Sequence, residues 1–253
     1  MSGHSKWATI KHKKGAADAK RGKIFSKIGK ELMVTARQGG SDPDLNPALR
    51  AIMQKAKSVN MPSDNVQRAI KKGAGELEGA AYEEVMYECY AGGGGVALVV
   101  QVLTDNKNRA AADIRFIFGQ HGSDFAAQGS VSRGFKRKGQ IFVDASSTDE
   151  DKLMGVVLDA GADDMTRDGD QFEIITEPAT FNKVTEALEK AGIKTASAEV
   201  SFLPQAYVPV KDKAAAASVL RFIADLEDND DVQNVYTNMD IDEKILKELE
   251  KAE

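Results

Sequence analysis

Residues 139–203 have the sequence GQIFVDASSTDEDKLMGVVLDAGADDMTRDGDQFEIITEPATFNKVTEALEKAGIKTASAEVSFL. Apolar residues alternate with polar ones in some parts of this segment and recur at helical spacing in others. The pattern predicts, in order, a strand at 140–144, a helix at 149–160, a hairpin of strands at 163–167 and 171–176, a helix at 181–190 and a strand at 195–203. This βαββαβ order is typical of the ferredoxin-like split unit, in which two helices cover one face of an antiparallel sheet.

The segments on either side of this unit each contain half of a domain. The preceding half is predicted to contain a strand at 82–90, a hairpin turn at 92–95, a strand at 96–103 and a helix at 106–120. The following half is predicted to contain a strand at 205–210, a helix at 213–226 and a strand at 232–236. Neither half covers its sheet alone, so we expect the two to complete each other. The prediction is a discontinuous middle α/β domain of residues 79–138 and 204–240, with residues 139–203 inserted as a ferredoxin-like α/β domain and residues 241–253 as a surface helix.

The first part of the chain is predicted to be helical. One amphipathic helix spans about 16–37, a second starts with Asn46 as its cap and Pro47 at its first position, and a third ends near residue 73. Three short amphipathic helices bury their apolar stripes only against each other, which favours a small bundle. Residues 1–78 are therefore predicted to be a basic helical domain with a flexible N-terminal arm. The predicted fold class is α+β, an N-terminal three-helix domain plus two α/β ferredoxin-like domains, the last inserted into the discontinuous middle one.

Charge is divided unequally along the chain. Residues 1–72 contain 16 Lys and Arg against 5 Asp and Glu, a net charge of +11, whereas residues 73–253 contain 18 against 34, a net charge of −16. Positive charge concentrated in one segment attracts polyanions by releasing their condensed counterions. The division indicates a nucleic-acid-binding module attached to an acidic body.

Composition excludes several other classes of protein. No run of about 18 apolar residues is present, which excludes a transmembrane helix, and the N-terminus lacks the apolar stretch of a secretory signal. The single cysteine, Cys89, excludes a disulfide framework and fits a reducing cytoplasm. With three histidines in the chain, His-rich metal chemistry is not expected. We therefore expect a cytoplasmic protein without a cofactor, a membrane partner or a small-molecule substrate.

The chain resembles one known family from end to end, and five segments carry the resemblance. They are GHSKWATIKHKKGAADAKRGKIF at 3–25, GGSDPDLNPALR at 39–50, NMPSDNVQRAIKKG at 60–73, LTDNKNR at 103–109 and FKRKG at 135–139. The chain is identified from them as resembling the YebC/PmpR family, which includes the translational activator of the mitochondrial cytochrome oxidase subunit one message. The resemblance implies a helical first domain followed by two α/β domains. It also implies a transcriptional regulator that binds DNA, while mitochondrial and bacterial relatives are implicated in translation at the ribosome.

One segment departs from the pattern of that family. Residues 122–135 have the sequence GSDFAAQGSVSRGF, in which Arg133 and Gly134 replace the bulky residues expected there. This puts in doubt any role that the resemblance would assign to the segment. It also adds positive charge next to Lys136, Arg137 and Lys138.

The basic arm and the first helix are the candidate nucleic-acid-binding site. They combine phosphate-seeking cations with an aromatic ring that is able to stack on a base. The residues are Lys6, Trp7, Lys11, His12, Lys13, Lys14, Lys20, Arg21, Lys23, Lys27 and Lys30. The alternative is a solvated helix face and a tail in which Trp7 packs against the bundle. The charge difference between the two parts of the chain favours nucleic-acid binding.

A second candidate site is formed by Arg133, Lys136, Arg137 and Lys138. The competing interpretation, which we weigh equally, is a charged cluster that protects the edge of a sheet from aggregation. If both basic regions face the same way, they form one divided footprint.

The remaining motifs favour structural roles. Gly92–Gly95 lack the Lys-Ser/Thr of a phosphate loop and are interpreted as a turn. Asp105 or Asn106 is expected to cap the following helix, although Lys107 and Arg109 could instead face a ligand in an interdomain cleft. The acidic set, interpreted as a solvated face more readily than as a cation site, is Asp159, Asp163, Asp164, Asp168 and Asp170. Cys89 is expected to be a buried thiol, and His121 a helix C-terminal cap.

The sequence therefore predicts a non-enzymatic nucleic-acid-binding regulator. The resemblance implies a DNA-binding transcriptional regulator, and a ribosome-associated translation factor is the alternative. No base-reading motif is visible, so structured RNA recognised by shape, including ribosomal RNA, is at least as plausible a target as DNA. An enzyme that uses an interdomain cleft is a distant third hypothesis, because no catalytic triad or nucleotide loop supports it.

Overall fold

The computed structural model of the chain describes residues 18–92 and 95–250, with the backbone alone at residues 18–21, 243, 247 and 250. The described part begins with three helices, α1 (Asp18–Gly39), α2 (Pro47–Ser58) and α3 (Ser63–Gly73). Their shared core is made of eight buried side chains, Ile28, Leu32, Ala36, Leu49, Ala56, Val66, Ala69 and Ile70. No helix within the described ranges is long and apolar enough to cross a membrane.

Two local features fix the geometry of the bundle. The side-chain oxygen Oδ1 of Asn46 accepts from the Leu49 N–H at 3.1 Å, while the side-chain Nδ2 of Asn46 donates to the backbone carbonyls of Thr35 and Gly40 at 3.1 and 2.9 Å. One side chain therefore caps α2 and holds it against the end of α1. At Gly73, a Cβ would approach the Cα of Met33 to 2.8 Å, so the end of α3 contacts the backbone of α1 where only glycine fits.

The middle of the chain contains a three-stranded antiparallel sheet with two helices on one face. Its elements are β1 (Glu83–Tyr90), β2 (Ala97–Thr104), α4 (Lys107–Gln120), α7 (Lys213–Asp228) and β8 (Val232–Thr237). The strand order is β1-β2-β8, and the core between sheet and helices includes Leu98, Val100, Phe118 and Phe222. Strands from the two ends of the segment are therefore neighbours, as the half-domain argument predicts.

A four-stranded sheet is formed between these two halves. Its elements are β3 (Phe135–Asp144), α5 (Glu150–Ala160), β4 (Ala162–Asp168), β5 (Gln171–Thr176), α6 (Phe181–Lys190) and β6 (Ser197–Pro204). Every pairing is antiparallel and the strand order is β4-β5-β3-β6, which is the ferredoxin-like order. The predicted α+β fold class is confirmed, whereas the exact domain boundaries stay a prediction.

Two details differ from the sequence prediction. Strand β3 begins at Phe135, five residues before the predicted start, because residues 135–138 pair with β6 alone. The predicted strand at 205–210 is limited to β7 (Val208–Val210), which does not join the three-stranded sheet. It pairs in parallel with β9 (Met239–Ile241), which is followed by α8 (Glu243–Glu250).

Candidate nucleic-acid interface

Most of the predicted arm lies outside the described residues. This applies to Lys6, Trp7, Lys11, His12, Lys13 and Lys14. Lys20 and Arg21 belong to α1, but their side chains also lie outside the described part. The first described side chain of the predicted interface is therefore Lys23.

Lys23, Lys27 and Lys30 form a row along one side of α1, which we name the lysine row. It contacts residues 227–231, named the acidic turn, at the junction of α7 and β8. Lys23 Nζ donates to Oδ1 of Asp228 at 2.5 Å and to the carbonyl of the same residue at 3.0 Å. Lys27 Nζ donates to the carbonyl of Glu227 at 2.7 Å.

Lys30 makes the most buried contact of the lysine row. Its Nζ donates to Oδ1 of Asp231 at 2.6 Å and to the carbonyl of Asp230 at 2.9 Å. Oδ2 of Asp231 accepts from Arg109 and from the hydroxyl of Thr104, both at 2.9 Å. Both carboxylate oxygens of Asp231 are therefore used, and this residue joins the helical bundle to the middle sheet.

The ionisation of this junction follows from its hydrogen bonds. Burial raises the pKa of the Asp231 carboxyl, but hydrogen bonds from Arg109, Lys30 and Thr104 outweigh burial and hold that pKa below its ordinary value. Hydrogen bonds to Asp231 and Asp105 raise the pKa of the Arg109 guanidinium. The junction is thus an ion pair at neutral pH. Arg109, which the sequence allows to face a ligand, pairs with Asp105 and Asp231 and also lines the cleft between the bundle and the middle sheet, with 49% of its side chain exposed.

Two further basic residues of the bundle are also engaged internally. Arg50 donates to the carbonyls of Pro43 and Asp44, both at 3.1 Å. Lys55 pairs with Glu31 at 2.9 Å. Burial lowers the pKa of Lys55, but the carboxylates of Glu31 and Glu199 have the greater combined effect and raise it.

Five other cations on the bundle are exposed: Lys57 on α2, and the four that we name the basic rim, Arg37, Arg68, Lys71 and Lys72. All four are exposed, and none forms an ion pair with another residue in the described part. Arg37, Lys71 and Lys72 lie in the last turns of their helices, where a cation also interacts favourably with the helix dipole. The candidate site predicted from the sequence does not include the rim. The feature of the sequence that could have revealed the rim is the spacing of Arg68, Lys71 and Lys72, which places them opposite the apolar stripe of α3.

Arg68 and Lys72 of the basic rim border a cleft between the bundle and the middle sheet. The cleft has a volume of about 680 Å³, and Lys30, Arg68, Lys72, Asp230 and Asp231 are among the residues that line it. Cations of the rim and oxygens of the acidic turn therefore face the same space. A polyanion bound at Arg68 and Lys72 would lie next to the lysine row.

The four residues of the second predicted basic site have different surroundings. Arg133, Lys136 and Arg137 are exposed. Lys138, in contrast, forms ion pairs with Asp163 at 2.8 Å and with Glu177, and hydrogen bonds to both carboxylates raise its pKa. Three cations of this site are therefore presented to solvent, and the fourth joins two parts of the four-stranded sheet.

The atypical segment at 122–135 is held by a buried glutamate. Glu88 on β1 accepts from the backbone N–H groups of Gly129, Val131 and Ser132 at 2.7, 2.7 and 2.9 Å, and from the Ser132 hydroxyl at 2.9 Å. A short 3-10 helix follows at Ser132–Gly134 and leads into β3. The segment thus connects the two sheets as an anchored loop in place of a strand.

The remaining motifs have structural positions. The Asn106 side chain accepts from the backbone N–H groups of Asn108 and Arg109, both at 3.1 Å, and so caps α4. Tyr90 pairs with Ala97, which confirms the predicted hairpin. His121 follows the last residue of α4, and its Nε2 lies 2.8 Å from Oδ2 of Asp225. Cys89 is fully buried, as expected.

The acidic set does not assemble into a cation site. Asp163 pairs with Lys138, Asp164 and Asp168 also lie on β4, Asp170 lies in the turn that follows, and Asp159 lies on α5. Within residues 18–92 and 95–250, no three His, Cys, Asp or Glu side chains are grouped to hold a metal ion.

Comparisons with known proteins cover nearly the whole chain. Residues 5–76 match the family model of the TACO1/YebC protein N-terminal domain, and residues 82–239 match that of the TACO1/YebC second and third domain. A probable transcriptional regulatory protein of Desulfatibacillum aliphaticivorans is 56% identical over 98% of this chain and 100% of its own length. Another of the same name from Desulforapulum autotrophicum is 55% identical over 97% of this chain and 98% of its own length.

A solved structure supports the same relationship. The crystal structure of a conserved hypothetical protein from Aquifex aeolicus superposes with a TM-score of 0.86 at 45% sequence identity, covering 96% of this chain and 99% of that one. Family models, relatives and fold agree with the resemblance carried by the five sequence motifs, and the chain belongs to the TACO1/YebC family.

Proposed function

We propose that this protein is a non-enzymatic regulator that binds nucleic acid through its helical domain in the cytoplasm. The observation that carries the proposal is the exposed basic rim, of which Arg68 and Lys72 border the interdomain cleft. The rim belongs to residues 1–72, whose net charge is +11 in a protein of net charge −5. Exposed Lys and Arg side chains bind phosphates without first breaking an ion pair within the protein. The relatives named probable transcriptional regulatory proteins support a role in gene expression.

The proposed interface has three parts. The first is the arm, with Lys6, Trp7, Lys11, His12, Lys13 and Lys14, together with Lys20 and Arg21. The second is the basic rim, and the third is the exposed group of Arg133, Lys136 and Arg137. Phosphate contacts of this kind position a protein on a polyanion but do not identify a sequence. We therefore propose DNA as the target that fits the names of the relatives, with ribosomal RNA as the alternative that fits recognition by shape.

Ultraviolet crosslinking in growing cells, followed by sequencing of the attached nucleic acid, distinguishes these targets. Enrichment of promoter DNA would support a transcriptional regulator. Ribosomal RNA concentrated at one site would replace that proposal with a translation factor. Recovery of no nucleic acid above the level of a non-binding control protein would contradict both.

A charge-removal series tests the role of the arm. The variant Lys11→Gln, Lys13→Gln, Lys14→Gln should bind a DNA duplex or RNA hairpin more weakly. Its dependence of log affinity on log salt should flatten by about 0.7–0.9 for each phosphate that the arm no longer neutralises. The matched control removes three exposed lysines of the inserted domain, Lys183, Lys190 and Lys194. Equal affinity and slope in the arm variant and the wild type would contradict the electrostatic proposal for the arm.

A further inference from the structure

The acidic turn presents to the lysine row the kind of atoms that a nucleic-acid backbone presents. Lys23, Lys27 and Lys30 follow one another along α1 and donate at 2.5–3.0 Å to carboxylate and carbonyl oxygens of residues 227, 228, 230 and 231. A phosphodiester chain likewise offers a series of anionic oxygen acceptors to a row of ammonium groups. The turn therefore occupies three cations that the sequence assigns to phosphate binding.

Exposure divides these contacts into two kinds. The side chains of Lys23 and Asp228 are 42% and 76% exposed, whereas those of Lys30 and Asp231 are 12% and 9% exposed. An exposed pair gains little in water and exchanges readily for another partner. The buried pair also uses Arg109 and Thr104, so it resists exchange. The contact of Lys23 is therefore the most readily replaced, and that of Lys27 with the partly buried Glu227 carbonyl comes next, because its acceptor is an uncharged backbone oxygen.

Two exposed cations next to the acidic turn give a polyanion a first binding position. Arg68 and Lys72 of the basic rim line the same cleft as Lys30 and Asp230. A polyanion held by the rim is thereby concentrated next to the contacts of Lys23 and Lys27. Its phosphates then compete with the carboxylate of Asp228 for Lys23.

We propose that the acidic turn is an internal competitor for nucleic acid. In the free protein the turn accepts hydrogen bonds from Lys23 and Lys27. When a polyanion binds, its phosphates displace the turn from these two lysines. The pair of Lys30 with Asp231 remains and continues to hold the bundle against the middle sheet. This inference rests on the proposed function and adds its regulation: affinity is limited by a segment of the same chain.

Removal of charge from the turn tests the competition. In the full chain, Glu227→Gln, Asp228→Asn, Asp230→Asn should bind an RNA hairpin or a DNA duplex about threefold to tenfold more tightly than the wild type. The control variant Asp159→Asn, Glu186→Gln, Glu189→Gln removes three exposed carboxylates from the inserted domain and changes net charge equally. A gain of the same size in the control would show a general charge effect and overturn the proposal.

A second substitution identifies the cations that are released. Lys23→Gln, Lys27→Gln should change the affinity of the wild type by less than about twofold, because each phosphate contact that these lysines gain on binding replaces a contact with the turn. The same substitutions should abolish the gain of the turn variant. If the affinity changes caused by the turn variant and by the lysine variant simply added in the combined variant, release of the lysine row would be contradicted.

A distance measurement keeps the inference separate from the proposed function. Nitroxide labels at Gln54→Cys and Gln120→Cys, both exposed, report the separation of α2 from α4, while native Cys89 is buried. Binding of the RNA hairpin should shift the distribution to longer distances in the wild type. If the wild type binds and the distribution is unchanged, the internal competitor is wrong and the binding function stands. If the wild type binds neither RNA nor DNA, the proposed function itself fails.

Discussion

The side chain of Glu88 lies on β1 with only 4% of the residue exposed, and its carboxylate accepts three backbone N–H bonds and one hydroxyl bond from residues 129–132. Burial raises the pKa of this carboxyl, but hydrogen bonds from Ser132, Gly129 and Val131 outweigh it and lower the pKa. Only an ionised carboxylate satisfies all these donors, so the loop that joins the two sheets depends on the charge of one residue.

Replacement of Glu88 by Gln should lower the free energy of unfolding by about 1–3 kcal/mol, because the amide leaves buried N–H groups without an acceptor. Denaturation in urea measures the loss. Glu83→Gln, on the exposed end of the same strand, removes a solvent-exposed pair with Lys107 and should cost about 0–1 kcal/mol. Equal losses in the two variants would contradict the anchoring role of Glu88.

The pH dependence of this difference has a definite sign. The folded pKa of Glu88 lies below the ordinary value of 4.5, so its stabilisation is complete above that value and is lost as pH falls through the folded pKa. The stability gap between wild type and Glu88→Gln should therefore be widest at neutral pH and should narrow on acidification. A gap that widens as pH falls would contradict this assignment. Thermal unfolding of both proteins in a series of buffers measures it.

Cys89 should be unreactive in the folded protein. Burial raises the pKa of its thiol to about 12, although a hydrogen bond with Ser123 acts in the opposite direction. Since the thiolate is the reactive species, Ellman's reagent should label Cys89 only as fast as the protein opens, and rapidly in denaturant. Rapid labelling of the native protein at neutral pH would contradict the buried position.

At the scale of an element, the contact of α3 with α1 determines where the basic rim lies. The Cβ of an alanine at Gly73 would meet the backbone of Met33, which cannot move away as a flexible side chain would. Gly73→Ala should therefore destabilise the protein by about 1–3 kcal/mol. Gly155→Ala, in α5 with no atom within 4 Å of the new methyl group, should stabilise it by up to about 1 kcal/mol. Thermal denaturation distinguishes the two, and a neutral Gly73→Ala would contradict the close approach.

Elements with a long apolar period could be predicted from the sequence, and shorter ones could not. The helices of the bundle and the βαββαβ order follow from periodicity alone. Strand β3 begins early because Phe135 and residues 136–138 pair with β6, and their charged side chains obscure the period. Strands β7 and β9 have three residues each, too few to show alternation. The loop at 129–132 has no local signal, because its acceptor is a glutamate about 40 positions away.

At the scale of the whole molecule, the position of the positive charge could be predicted from the sequence, but its partners could not. A helix with lysines at regular spacing looks the same whether it faces solvent or a carboxylate cluster. The aspartates that pair with Lys23 and Lys30 are 205 and 201 positions away along the chain. On the bundle, the basic rim remains open to solvent, and its residues are spread more thinly along the sequence than those of the arm. Binding strength should therefore depend more on the rim than on the lysine row of the wild type.

The corresponding variant is Arg68→Gln, Lys71→Gln, Lys72→Gln. It should bind nucleic acid more weakly than the wild type, and the slope of log affinity against log salt should fall by up to about 0.9 for each phosphate that the rim no longer neutralises. Fluorescence anisotropy over a salt series measures both, with Lys183→Gln, Lys190→Gln, Lys194→Gln as the charge-matched control. The rim side chains are exposed, so unfolding of this variant should follow that of the wild type. An unchanged slope with unchanged stability would exclude the rim from the interface. A loss larger than that of Lys23→Gln, Lys27→Gln in the same assay is expected, because phosphates reach open cations without first displacing the acidic turn.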